Sequence, residues 1–231
     1  MRKIKLLVIT SLLSFLSLVS FAQLFGGEAA KKVFKSEDFK EVIASHKKVA
    51  ILPFAAHITY KKKPKDFSEE TVKEDEKKLS TSLQSGMYSY LLNKSGKYSV
   101  EFQDVERTNI LLKQKNIYDK LGELLPDSIA KVLGVDAVIK CTFDHEIVGG
   151  SEGGQIAKAL LFGAATRSGS GGLTMQINDG KSGSLIWRFY KEMNESIFSN
   201  ANEIMDRMMR KVSRNFPYYF YRCYFRKWVY D

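Results

Sequence analysis

Two stretches of the sequence place a serine three residues ahead of a lysine, Ser45-His46-Lys47-Lys48 and Ser128-Ile129-Ala130-Lys131. At that spacing a lysine amine can activate a serine hydroxyl for acyl transfer, and Lys181-Ser182-Gly183 mimics the later triad of such chemistry. The set is incomplete: the chain has no Ser-Asp-Asn segment, the first pair runs into an apolar strand, and Lys181-Ser182-Gly183 falls in a turn. Histidine chemistry fares no better, because His46, His57 and His145 are scattered. In a strand, Asp144-His145-Glu146 points its side chains to opposite faces, which predicts a surface strand end rather than a metal site. Gly149-Gly150 and Gly153-Gly154 lack the Gly-Lys-Ser/Thr ending of a phosphate loop. These residues predict no catalytic centre, no metal and no cofactor.

Two features could instead work by contact. The first is the glycine-flanked segment around Ile156, Leu160, Leu161 and Phe162, apolar enough to dock on a partner or a membrane interface. The second is the tail from Phe216 to Asp231, where nine of 16 residues are aromatic. Tyr218, Tyr221, Arg222, Tyr224, Phe225, Arg226 and Trp228 combine apolar bodies with polar or charged tips, as interfaces favour. The opposing expectation is that the tail closes over a sheet edge as core.

The leader sets the compartment. Arg2, Lys3 and Lys5 precede an apolar stretch from Leu6 to Val19, and Ser20-Phe21-Ala22 offers small residues for cleavage before Gln23. A bilayer-spanning helix needs roughly 20 apolar residues, so residues 1–22 read as a cleavable secretory signal peptide. No cysteine stands near the cut to carry a lipid. The 36 Lys+Arg against 26 Asp+Glu would raise nucleic acid as a partner in the cytosol, but export argues against it and leaves a basic solvated surface or an anionic envelope surface. Cys141 and Cys223 are too few for a disulfide framework, and Cys141 reads as a core thiol beside Ile139 and Phe143.

The elements that would position these features follow from periodicity. After a loose lead, a short helix near Ser36 carries residues 23–46 to the strand Lys48–Phe54, apolar on both faces and ended by Pro53. Ala55–Lys65 reads as an exposed loop. A long helix opens at Asp66 with Val72, Leu79, Leu83, Met87 and Tyr90 or Leu91 inward, and stops near Gly96. A half-buried strand at 97–102 precedes a helix from Asp104 with Val105, Ile110 and Leu111 inward. A helix from Pro126 to Gly134 and a strand from Val135 follow. Beyond the glycine-rich insertion 149–172, Leu173–Asn178 and Leu185–Tyr190 form a hairpin. The last helix, near Asn200, buries Ile204, Met208 and Val212 and ends at Phe216-Pro217. The fold class is α/β: a single layered domain with a mixed sheet and helices packed on it, in the order β-α-β-α-α-β-β-β-α.

Val49–Phe54 with the long helix behind it, Leu133–Ile139, and Asp179–Trp187 together resemble the periplasmic domain shared by curli-secretion (CsgG-like) proteins, the penicillin-binding-protein activator LpoB and TolB amino-terminal domains. The resemblance spans roughly residues 47–216, with 217–231 as an aromatic basic tail. It implies a non-enzymatic role in assembling or regulating envelope machinery in the periplasm or at the outer-membrane periphery. The expected partner is another envelope protein, with peripheral membrane contact and homo-oligomerisation as further options. Two other functions stay open. A curli-type outer-membrane secretion channel subunit would need two amphipathic hairpins, whereas one insertion is present. A serine enzyme acting on cell-wall peptide would use Ser128.

Overall fold

The computed structural model describes residues 31–63, 67–147, 166–167, 169–193, 197–198 and 201–219. Seven strands form one mixed sheet: β1 (Lys31–Lys35), β2 (Lys48–Ile51), β3 (Ala55–Tyr60), β4 (Glu101–Phe102), β5 (Ala137–Ile147), β7 (Gly169–Asp179) and β8 (Leu185–Met193). Their order is β1-β8-β7-β5-β2-β4, with β3 also paired to β5. β6 (Thr166–Arg167) and β9 (Ile197–Phe198) form a separate two-stranded ladder. Five helices complete the described chain: α1 (Phe39–Ser45), α2 (Glu69–Leu92), α3 (Val105–Gln114), α4 (Pro126–Leu133) and α5 (Ala201–Val212). None of the described helices is long and apolar enough to cross a membrane. The α/β class and mixed sheet are those expected from periodicity.

The sheet is parallel at β2–β4, β2–β5 and β3–β5 and antiparallel at β5–β7, β7–β8 and β1–β8. β2, flanked by β5 and β4 and covered on both faces, is buried from Val49 to Ile51, which explains its unbroken apolar run. On one sheet face Ile51, Ile139, Cys141, Phe143, Ile177, Trp187 and Phe189 meet α1, α2 and α5. On the other, Ala50, Leu52 and Val138 meet Leu112 of α3 and Ile129, Ala130 and Leu133 of α4. Helix α5 buries Ile204, Met205, Met208, Met209 and Val212 almost completely. At roughly 1.5–3 kcal/mol for each such side chain, packing rather than helix propensity holds α5 in place.

Four expectations are corrected. The loose lead is a strand from Lys31, paired along β8. Ala55–Tyr60 is not a loop but a strand in which Ala56 and Ile58 are buried between exposed neighbours. As expected, β2 stops just ahead of Pro53, and pairing along β5 resumes at Ala55. Ile51 pairs with Ile139 and Ala55 with Thr142, so the β2–β3 line carries one extra residue at the break, a bulge that absorbs the missing proline donor. The third correction is in α3, where Ile110 is 47% exposed and the inner positions are Thr108 and Leu112. The Thr108 hydroxyl donates to Gln103 Oε1 at 2.9 Å and Gln103 Nε2 donates to the Leu133 carbonyl at 3.0 Å, a buried polar clasp that sets the helix's rotation. Last, α2 starts at Glu69 and ends at Leu92: the Ser68 hydroxyl accepts the Thr71 N–H at 3.3 Å, and Asn93 precedes a 3₁₀ turn at Ser95–Lys97.

Candidate functional site: the tail anchor and the open sheet face

Three distant segments converge where β5 begins. His46 terminates α1 in an extended conformation, Asp179 ends β7, and Tyr218 follows a 3₁₀ turn at Ser213–Asn215. His46 Nδ1 lies 2.8 Å from the Tyr218 hydroxyl and His46 Nε2 lies 3.1 Å from Asp179 Oδ1, all within the buried core. Burial alone would raise the Asp179 carboxyl. The Ser182 hydroxyl and amide and the His46 ring outweigh it, so the group sits below the ordinary carboxylate range and is ionised at neutral pH. An ionised acceptor requires Nε2 to carry a proton, so in neutral His46 the Tyr218 hydroxyl donates to Nδ1. Burial first, and then Asp179 and Asp136, push the Tyr218 hydroxyl well above its usual range, so it stays protonated.

The turn beyond Asp179 is tied to the same carboxylate. Asp179 Oδ2 accepts the Lys181 amide at 3.2 Å, the Ser182 amide at 2.7 Å and the Ser182 hydroxyl at 2.7 Å. Asp136 does the parallel job for the start of β2: its Oδ2 accepts the Lys48 amide at 2.9 Å and the Lys47 amide at 2.8 Å. The Lys48 bond, against burial and with the help of Lys47, His46 and Lys181, holds the Asp136 carboxyl below its usual range.

Composition makes Tyr218–His46–Asp179 look like a proton relay, but its geometry is that of a structural lock. The Ser182 hydroxyl is bonded to Asp179 and not to His46, and the imidazole is sealed from solvent. The serine–lysine pairs do not gather either. The Ser45 hydroxyl donates to the Val42 carbonyl at 2.7 Å, while Ser128 and Lys131 lie on the exposed side of α4.

Tyr218 is thereby corrected from surface contact to core: it is 0% exposed. Around it Tyr98, Phe102, Trp187, Phe216 and Tyr219 pack largely edge to face, with centroids 5.5–6.5 Å apart. The Ser99 amide donates to the Tyr218 carbonyl at 2.8 Å, and Tyr98 bridges Tyr219 in antiparallel fashion. The first residues of the tail therefore close over the sheet beside β4. Tyr221, Arg222, Tyr224, Phe225, Arg226 and Trp228, like Ile156, Leu160, Leu161 and Phe162, lie outside the described residues. The lock itself was not foreseen, because its three members come together only through long-range packing.

The strand-end expectation for His145 is also corrected. Asp144 and Glu146 are exposed, but His145 is 4% exposed and stacks on Phe143 at 6.0 Å. Its placement on the core face lowers its pKa to about 4 through desolvation. No group of three metal-ligating side chains exists among the described residues. Cys141 is a buried free thiol, as expected, and burial raises it far above the ordinary thiol range.

Helices α3 and α4 cover only the β2 side of their sheet face. Beyond them β5, β7 and β8 present Asp144, Glu146, Gly172, Tyr190 and Glu192 around a shallow depression of about 440 Å³. The Tyr190 hydroxyl donates to Glu192 Oε1 at 3.0 Å, and its ring lies over Gly172, 3.6 Å from where a Cβ would stand. At the far edge β1 carries half-exposed Phe34 and Val33.

No protein-family model and no curated protein matches this chain. Among solved structures it is similar to a lipoprotein of Neisseria meningitidis, with 11% identity and TM-score 0.41 over 73% of this chain and 94% of that one. It is also similar to the C-terminal domain of LpoB from Salmonella enterica, with 10% identity and TM-score 0.35 over 77% and 92% of the two chains. A third is the PelC dodecamer from Paraburkholderia phytofirmans, at 10% identity and TM-score 0.36 over 83% and 99%. At such identities and TM-scores, none of these likenesses bears on what this chain binds.

Proposed function

We propose that the chain is an exported, non-enzymatic accessory or assembly protein of the cell envelope that binds another envelope protein through residues 220–231. One observation carries the reading: Tyr218 is locked to His46 and Tyr219 pairs with Tyr98, so the chain continues into the aromatic basic segment from a point fixed in the domain. Such an anchor lowers the conformational cost of presenting Tyr221, Arg222, Tyr224, Phe225, Arg226 and Trp228, residue types that dominate binding hot spots. The leader at residues 1–22 supports a periplasmic location, and the resemblance of residues 47–216 to the LpoB and curli-secretion group supports envelope assembly. Ile156 to Phe162 is a second contact segment in the same reading.

The burial of Tyr218 dictates the test. Deleting residues 217–231 would remove core, whereas a chain ending at Tyr219 keeps the lock. Crosslinking in intact cells is expected to attach one envelope protein to the full chain and not to the chain ending at Tyr219, while both show the same urea midpoint. Unchanged crosslinked partners after the deletion would overturn the role of the segment.

A further inference from the structure

Among the described residues, strand β1 is paired on one side only. Its partner is β8, and among the described residues no strand lies along its outer edge. The Ser36 amide donates to the Ile186 carbonyl at 3.0 Å, which fixes the alternation: the backbone groups of Lys32 and Phe34 face β8, and those of Lys31, Val33 and Lys35 face outward. The register also sorts the side chains. Val33 and Lys35 stand on the face of Phe189 and Trp187, and Lys32 and Phe34 on the face of Tyr190 and Arg188. Three of the five side chains are lysines, and the two apolar ones are well exposed, Val33 at 38% and Phe34 at 49%. Lys35 Nζ is held 4.9 Å from the Phe39 ring centroid, which keeps its charge at this edge.

We propose that β1 is a strand-addition site for an acidic extended segment of a partner protein. An added antiparallel strand satisfies the outward amides and carbonyls of Lys31, Val33 and Lys35. Cross-strand pairing then sets its sequence: acidic residues opposite Lys31, Lys32 and Lys35, apolar residues opposite Val33 and Phe34. A second copy of this chain is a poor occupant. Self-pairing about Val33 sets Lys31 against Lys35 of the other copy, between chains that each carry a net charge of +10. A lipid surface would use the lysines but leave the row of backbone groups unmet. The inference rests on the partner-binding reading above but places the contact away from residues 220–231.

The probe is a blocked peptide with the core Glu-Val-Val-Glu-Glu, compared with the core Lys-Val-Val-Lys-Lys, added to the full chain. The acidic peptide is expected to bind saturably, to weaken with salt, and to slow hydrogen exchange at the Val33 and Lys35 amides. Val33→Pro removes an outward donor without touching the β1–β8 ladder, since edge strands tolerate proline at such positions. It should weaken binding about tenfold or more. Replacing all three lysines (Lys31→Glu, Lys32→Glu, Lys35→Glu) should reverse the preference toward the lysine peptide. Equal binding of both peptides, no binding, indifference to Val33→Pro, or protection of these amides through self-association alone would each overturn the proposal. Binding that survives removal of residues 220–231 separates this site from the tail, so either reading can fail without the other.

Discussion

Tyr218 and His46, 172 positions apart in the chain, meet at 2.8 Å inside the core, and Asp179 holds the far side of the same imidazole at 3.1 Å. Each of the three groups satisfies a neighbour that burial has stripped of water, so none can be removed in isolation.

Tyr218→Phe tests that dependence. The ring still fills its place against Phe216 and Phe102, but His46 Nδ1 loses its partner. The variant should lose about 1–3 kcal/mol in a urea titration with an unchanged slope, the cost of one unsatisfied buried polar atom. A midpoint equal to the parent's would show that the hydroxyl is dispensable to the lock.

The turn after Asp179 is packed against the loop before β5. A Cβ at Gly180 would stand 2.7 Å from the Asp136 carbonyl oxygen, 2.9 Å from the Val135 carbonyl oxygen and 2.9 Å from Ala130 Cβ. Two of those neighbours are backbone and cannot swing aside. Gly180→Ala should therefore cost about 1–3 kcal/mol or more, whereas Gly122→Ala, with nothing within 4 Å, should be near neutral. Thermal or urea unfolding of the pair decides it, and equal stabilities would contradict the contact.

Acid should destabilise the domain in a defined window. His145 titrates near 6.5 in the unfolded chain and at about 4 in the fold, so between these values the unfolded state binds the extra proton. Stability is then full above about pH 6.5 and falls as pH drops toward 4, by up to about 3 kcal/mol from this group. Asp136 and Asp179, held below the ordinary carboxylate range, keep their stabilisation above the unfolded value of 3.8 and lose it as pH falls further through their folded values. Urea midpoints measured across this range should show a shallower loss between pH 6.5 and 4 in His145→Gln. The same slope in variant and parent would remove His145 as its source.

Where one local rule decided an element, the sequence was enough. Gly134, at φ +64°, ends α4 where glycine was expected to, and Asp104 caps α3 by accepting the Arg107 amide at 2.9 Å. The stripe Ile204, Met208 and Val212 is buried because its 3.6-residue repeat has one available core to face. The bulge that carries the chain past Pro53 into β3 was not legible, since only the neighbouring β5 shows where pairing resumes. Likewise Thr108 displaced Ile110 from the inner side of α3 through a clasp to Gln103 and Leu133, partners no helical period reveals.

The sequence by itself determined the α/β class, the apolar run of β2 and the core stripes of α2 and α5. These are local matters of spacing and side-chain type. Tertiary structure alone decided that Tyr218 is core and not contact, that His145 faces inward, and that β1 ends the order of described strands in the sheet. Those outcomes depend on which strands become neighbours, and long-range pairing leaves no periodic trace in the chain that undergoes it.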